Sequence, residues 1–97
     1  MKKYVMEVNN SIGMNNKKLF VGNLGAEISE AELREQFSYF GRVQFIKVIE
    51  DKGIAFVRMA RPIEAYQARL GLNGVEINGR RIRVVEAKSR KEFGHYN

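Results

Sequence analysis

Two short apolar segments constrain the fold of this chain most strongly, because each has the pattern of a β-strand with apolar residues on both faces. They are Leu19–Leu24 and Lys52–Met59. A sheet in a chain of 97 residues normally has one buried and one wet face, so its strands should alternate apolar and polar residues. Phe20 and Phe56 occupy positions that this alternation places on the solvent-facing side of the sheet. The sequence therefore predicts a sheet whose open face carries aromatic side chains.

The remaining elements follow one another in a simple order. Strands are predicted over 18–24, 43–49, 54–59 and 82–85, and helices over about 30–39 and from Pro62 to Gly71. Ser29 and Glu32 form a capping box that starts the first helix. A short turn over 50–53 makes the second and third strands a hairpin, and residues 75–77 are a candidate minor strand.

Each predicted helix has an apolar stripe. The stripes contain Leu33, Phe37 and Phe40 in the first helix and Ile63, Tyr66 and Leu70 in the second. Two helices bury such stripes only against one face of a four-stranded antiparallel sheet. The predicted fold is therefore α+β, a ferredoxin-like βαββαβ sandwich with both helices on one face of the sheet.

The positive charge is unevenly distributed. The net charge is +6, and residues 1–16 together with 88–97 hold half of it. Four glutamates crowd into the first helix and its approach, at Glu27, Glu30, Glu32 and Glu35. One side of the domain should therefore be basic, which favours a polyanionic partner. Exposed aromatic rings among Lys and Arg suit base stacking and phosphate contact, as in proteins that bind single-stranded nucleic acid.

The two apolar segments resemble the first-strand hexamer and the third-strand octamer of the RNA recognition motif (RRM) family. Residues 19–24 match the hexamer at every position, and 52–59 match the octamer at six of eight. The resemblance covers about residues 18–88. It implies an RRM domain over 17–88, between a flexible N-terminal extension (1–16) and a basic C-terminal tail (89–97). Residues 4–8 are a candidate extra edge strand.

The resemblance also implies roles for individual residues. Phe20 and Phe56 are each expected to stack against a base or ribose, whereas Lys52 and Arg58 would meet phosphates. Arg83 and Lys88 are expected to contact the strand where it leaves the sheet. Strand parity and the resemblance together give the RNA-binding positions Phe20, Phe56, Phe45, Ile54, Lys52, Arg58, Lys47, Arg81, Arg83, Lys88 and Asn23. The amide of Asn23 is expected to brace the loop that follows the first strand.

Ile54 is the main departure from the family pattern. The family commonly has an aromatic residue at this octamer position, which makes a third stacking surface beside the other two. Phe45 lies on the neighbouring predicted strand and faces the same way. We expect Phe45 to compensate for Ile54.

Several other functions are disfavoured by the composition. The chain has no cysteine, which excludes disulfides and thiolate metal sites and favours a reducing compartment. No signal-peptide core or membrane span is present, so a soluble nuclear or cytoplasmic protein is expected.

His95 is the only histidine, and no base, nucleophile or metal cluster accompanies it. We therefore expect that the protein is not an enzyme and that it binds no cofactor, metal or small-molecule substrate. The expected function is single-stranded RNA binding in RNA processing, such as splicing, transport or stability.

The alternative is a protein-interaction module with the RRM fold and weak or no RNA binding. Ile54, the acidic first helix and the short turn over 50–53 are compatible with it. Against it, peptide-binding members of the family carry an Arg-x-Phe triplet before the last strand, and residues 74–80 contain none. Three further possibilities stay open. A tail or a partner covers Phe20 and Phe56; RNA binds the sheet while a protein partner binds the helical face; or residues 88–91 follow the nucleic acid backbone instead of forming a solvated tail.

Overall fold

The computed structural model describes residues 16–87, which form two helices and two sheets. The helices are α1 (Glu30–Ser38) and α2 (Pro62–Leu72). The strands are β1 (Lys18–Gly22), β2 (Val43–Ile49), β3 (Ile54–Met59), β4 (Glu76–Ile77), β5 (Arg80–Arg81) and β6 (Arg83–Glu86). A 3-10 turn over Glu50–Lys52 joins β2 to β3. The predicted N-terminal extension apart from Asn16, the extra edge strand over 4–8, Lys88 and the basic tail lie outside the described residues.

Four strands form one antiparallel sheet in the order β2-β3-β1-β6. This order, with α1 and α2 as the two crossovers, confirms the predicted ferredoxin-like βαββαβ fold. The predicted minor strand also forms, as β4, and it pairs with β5 in a separate two-stranded sheet. Asn78 and Gly79 connect these two strands with φ values of 51° and 83°. Positive φ at both central residues is what the tightest hairpin turns require.

The hydrophobic core lies between the helices and one face of the four-stranded sheet. The sheet side contributes Leu19, Val21, Ile46, Ala55, Val57, Met59, Ile82 and Val84, all of them buried. From α1 come Leu33 and Phe37, and Phe40 packs against the edge of the cluster. The inward parity predicted for the strands and the stripe predicted for α1 are therefore confirmed.

The start of α1 has the predicted capping box. The Ser29 Oγ accepts a hydrogen bond from the Glu32 backbone N–H at 3.1 Å, and the Ser29 backbone N–H donates to Glu32 Oε1 at 2.9 Å. Two backbone donors that a helix start leaves without partners are thereby satisfied. The cap fixes where the loop after β1 turns into α1.

The apolar stripe predicted for α2 is wrong at Tyr66 and Leu70. Tyr66 and Leu70 are exposed, and α2 buries Ala65, Ala68 and Leu72 instead. The distance between packed elements depends on the side chains at the contact, so two alanines let α2 lie close to the sheet. The bulkier side chains are consequently left on the solvent side of the helix.

Gly53 precedes β3 and lies close to Leu24, which follows β1. Its φ is 65°, and its carbonyl accepts a hydrogen bond from the Leu24 N–H at 2.9 Å. A Cβ at this position would lie 2.6 Å from the Leu24 carbonyl oxygen. We predict that Gly53→Ala lowers the free energy of unfolding by about 1–3 kcal/mol, through backbone strain and this clash. Urea denaturation measures the change.

Gly74→Ala is the matched control. Gly74 also has a positive φ, 90°, but a Cβ there would meet nothing within 4 Å. Gly53→Ala should therefore be the more destabilising of the two. Equal losses of stability would contradict the close approach of Leu24 and Gly53.

Candidate nucleic-acid interface

The face of the four-stranded sheet opposite the helices, here called the open face, carries side chains in rows that cross the strands. The central row is Lys47 on β2, Phe56 on β3, Phe20 on β1 and Val85 on β6. On one side of it lies the row Phe45, Arg58 and Lys18, and on the other side Ile49 opposite Ile54 and Arg83 opposite Gly22. No acidic residue of the four strands faces this side. The open face is therefore apolar at its centre and basic around it.

Phe20 and Phe56 form an aromatic pair in the central row. They lie directly opposite each other on β1 and β3, with ring centroids 5.7 Å apart and ring planes at 63°. This edge-to-face geometry is a favourable arrangement for two rings. Both side chains stay partly exposed although they touch. The pair therefore presents an apolar aromatic surface to solvent.

Gly22 makes room for one of these rings. A Cβ at Gly22 would lie 3.1 Å from Cε2 of Phe20, closer than side chains normally pack. A side chain at position 22 would therefore require the Phe20 ring to shift by a few tenths of an ångström. Both the glycine and the phenylalanine of the hexamer shape this surface.

Asn23 braces a different part of the structure from the one predicted. Its Nδ2 donates to the Arg81 carbonyl at 2.8 Å, and its Oδ1 accepts from Arg80 Nη1 at 3.0 Å. The amide therefore ties the end of β1 to β5 rather than to the loop that follows β1. Both of its polar atoms already have protein partners. Asn23 fits a positioning role better than a direct RNA contact.

Arg81 is also placed differently from its prediction. It was predicted to point outwards from the main sheet together with Arg83, but it lies on β5, in the two-stranded sheet. The chain leaves strand geometry at Ile82, whose side chain enters the core and whose N–H donates to Val75. The Arg81 guanidinium donates to the Gly74 carbonyl at 3.1 Å. Of these two arginines, Arg83 is therefore the one on the open face.

The comparison with known protein families agrees with this geometry. The family model described as "RNA recognition motif" matches residues 19–83. The chain belongs to the RNA recognition motif family. The match begins at the hexamer on β1, includes β2 and β3, and ends at Arg83, the first residue of β6.

Relatives of this RRM include several proteins with RNA-related names. The chain is 35% identical over 75 residues to polyadenylate-binding protein RBP45 of Nicotiana plumbaginifolia, covering 77% of this chain and 18% of the relative. It is 35% identical over 85 residues to the chloroplastic 29 kDa ribonucleoprotein of Arabidopsis thaliana, covering 81% and 25%. Among solved structures, the C. elegans NONO-1 homodimer matches with a TM-score of 0.71 and 34% identity, covering 79% and 32%. The chain spans a third or less of the length of each.

The remaining predicted site residues of this RRM fall into three groups. Phe45, Lys47 and Arg58 are exposed on the open face, as predicted. Lys52 is exposed on the 3-10 turn at its rim. Ile54 is half-buried beside Ile49, where it leaves no exposed ring.

Sequence reasoning missed three outward residues of the RRM sheet, Lys18, Ile49 and Val85. Parity could have identified all three, since each lies two residues along a strand from a predicted site residue. It also missed that Arg80 donates a hydrogen bond to the Asn23 amide oxygen.

Across residues 16–87, no group of three or more His, Cys, Asp or Glu is placed to hold a metal ion. None of the helices in that range is long and apolar enough to cross a membrane.

Two like charges face each other on the open face. Lys18 lies directly opposite Arg58 on adjacent strands, an arrangement that destabilises a sheet. We predict that Lys18→Glu raises the free energy of unfolding by about 0.2–1 kcal/mol, because it converts repulsion into attraction at an exposed pair. Urea denaturation at low salt measures the gain, and added salt should reduce it.

A charge-swap cycle provides the control. Arg58→Glu alone should stabilise the fold by a similar amount, and the double variant, with two acidic residues, should return to about the wild-type value. Additive gains in the double variant would show that the two side chains do not interact.

Proposed function

We propose that this RRM binds single-stranded RNA through the open face of its sheet. The observation that carries the proposal is the partly exposed Phe20–Phe56 pair at the centre of a face without acidic residues. Neither ring belongs to the buried core, and each can stack against a base through its exposed part. Lys47, Arg58 and Arg83 surround the pair and supply charge for phosphates.

The angle between the two rings favours a single strand over a duplex. Bases that stack on Phe20 and Phe56 are turned relative to each other, because the ring planes meet at 63°. Bases within a duplex are parallel, so they cannot match this geometry. A single strand can splay its bases and present each to a different ring. An extended strand of about 2 to 4 nucleotides fits the exposed surface.

The relatives support RNA as the nucleic acid. One is named a polyadenylate-binding protein and another a ribonucleoprotein. A role in RNA processing, such as splicing, transport or stability, in the nucleus or the cytoplasm, is consistent with these names. The binding needs no covalent chemistry, since stacking and phosphate neutralisation supply the free energy.

The rival function is protein interaction through the helical face. Tyr39, Tyr66 and Leu70 are exposed on or beside α1 and α2, and Tyr39 is 73% exposed. A partner on these residues is compatible with RNA on the sheet. If the helical face alone is functional, changes on the open face will leave all binding intact.

Removal of either ring tests the proposed site. We predict that Phe20→Ala and Phe56→Ala each weaken binding of short random-sequence RNA by roughly 5- to 150-fold, since stacking contributes about 1–3 kcal/mol per base. Fluorescence anisotropy of labelled RNA measures the affinity. Circular dichroism should show both variants folded, because neither ring belongs to the buried core.

Tyr39→Ala is the matched control for these two variants. It removes an aromatic side chain of similar size that is exposed at the end of α1, away from the open face. Its affinity for RNA should equal that of the wild type. If Tyr39→Ala weakens binding and the two Phe variants do not, the open face is not the binding site.

The phosphate contacts can be tested separately by salt. The logarithm of the affinity should fall linearly with the logarithm of the salt concentration, with a slope of about 0.7 per phosphate contact. Arg83→Gln should reduce the slope by one contact. An affinity that is constant from low to high salt would refute the role of the basic residues.

A further inference from the structure

The chain has two Asn-Gly dipeptides whose surroundings differ. Asn73-Gly74 follows α2, and Asn78-Gly79 connects β4 to β5. In an Asn-Gly dipeptide the asparagine side chain is easily attacked by the next backbone nitrogen, because glycine has no side chain that blocks the approach. Both asparagines and both glycines are exposed to solvent. Exposure alone therefore does not distinguish the two dipeptides.

Hydrogen bonds hold both reacting groups of Asn73-Gly74. The Gly74 N–H donates to the Ile82 carbonyl at 2.8 Å, and the Asn73 Oδ1 accepts from the Val84 N–H at 2.9 Å. Asn73 also ends α2, since its own N–H donates to the Arg69 carbonyl at 3.1 Å. The side-chain amide and the nucleophilic nitrogen are thus bound to different partners. They can react with each other only after these bonds break.

Asn78-Gly79 lacks these restraints. Within residues 16–87, neither the Asn78 side-chain amide nor the Gly79 N–H makes a hydrogen bond. The two residues are the central positions of the turn, and the residues that pair beside them are Ile77 and Arg80. The hairpin has only two pairs of residues, and so short a hairpin opens at a small cost in free energy. The reacting groups of Asn78-Gly79 therefore meet more readily.

We propose that Asn78 is a site of spontaneous deamidation in the folded protein, whereas Asn73 is protected. The Gly79 backbone nitrogen attacks Cγ of Asn78, and its proton leaves with the side-chain NH2 as ammonia. A cyclic imide then joins the two residues. Water adds to one of the two imide carbonyl carbons and opens the ring. The product is an aspartyl or an isoaspartyl residue at position 78, and water is the only co-reactant.

The reaction changes the hairpin that carries Arg80 and Arg81. Either product adds a carboxylate to the turn before these two arginines, and the isoaspartyl product also adds a methylene group to the main chain. Turn geometry and loop length fix the register of a hairpin, so the longer main chain disrupts the pairing of β4 with β5. Asn23 binds the Arg80 guanidinium and the Arg81 carbonyl. The modification therefore also loosens the attachment of the hairpin to the end of β1.

Prolonged incubation of the whole chain at mildly alkaline pH, with and without urea, tests the proposal. Cleavage after Arg and Glu separates residues 70–76 from 77–80, so mass spectrometry quantifies deamidation at each asparagine. In the folded protein Asn73 should react roughly 5- to 150-fold more slowly than Asn78, since its two restraining hydrogen bonds contribute about 1–3 kcal/mol together. In urea the two rates should be equal, because each asparagine follows an aliphatic residue and precedes a glycine.

Gly79→Ala is the matched variant. A Cβ at position 79 would meet nothing within 4 Å, so the side chain fits, but it hinders attack by the nitrogen. The variant should slow deamidation of Asn78, with and without urea, and leave the rate at Asn73 unchanged. Equal rates at the two asparagines of the folded wild type, or a faster reaction at Asn73, would overturn the proposal. An Asn78 that stays unmodified in the folded protein would overturn it too.

Discussion

The antiparallel pairing of β1 with β3 determines both faces of the sheet. In one register, Leu19 meets Val57 and Val21 meets Ala55 on the buried side, while Phe20 meets Phe56 on the other. A slip of one residue would move the phenylalanines into the core and the aliphatic residues into water. Burial of the aliphatic set under α1 and α2 therefore also holds the aromatic pair on the open face. The same contacts that stabilise the fold position the candidate site.

The charges on the open face lower the free energy of unfolding of the free protein. The aromatic pair stays partly exposed, Lys18 opposes Arg58, and no acidic side chain of the four strands neutralises the surface. Fold stability alone would favour opposite charges at positions 18 and 58. A single strand of nucleic acid offers what the face lacks, namely planar bases and negative charge. Binding of a single nucleic acid strand would thus explain both the exposed aromatic surface and the opposed positive charges.

Most of the fold followed from sequence because local signals and the hydrophobic pattern agreed. The capping box at Ser29, strand alternation and the order of elements all predicted one architecture, which the structure has. Three features depended on tertiary contacts that no local pattern encodes. The alanines of α2 displaced the larger Tyr66 and Leu70 because close packing prevailed over hydrophobicity. The pairing register of β2 with β3 shifts between Val43 and Phe45, so Gln44 is an extra residue that changes the parity within β2. The hydrogen bond from the Ile82 N–H to Val75 separates Arg81 from the main sheet.

The most direct test of RNA binding at the open face is an amide-shift NMR titration of the whole chain with a pool of short random-sequence RNAs. Shifts should centre on β1 and β3, around Phe20 and Phe56, and extend to Arg83 on β6 and Phe45 on β2. The amides of α1 and α2 that face away from the sheet should stay in place. Shifts confined to the two helices, or no shifts at all, would contradict the assignment of the open face as an RNA-binding surface.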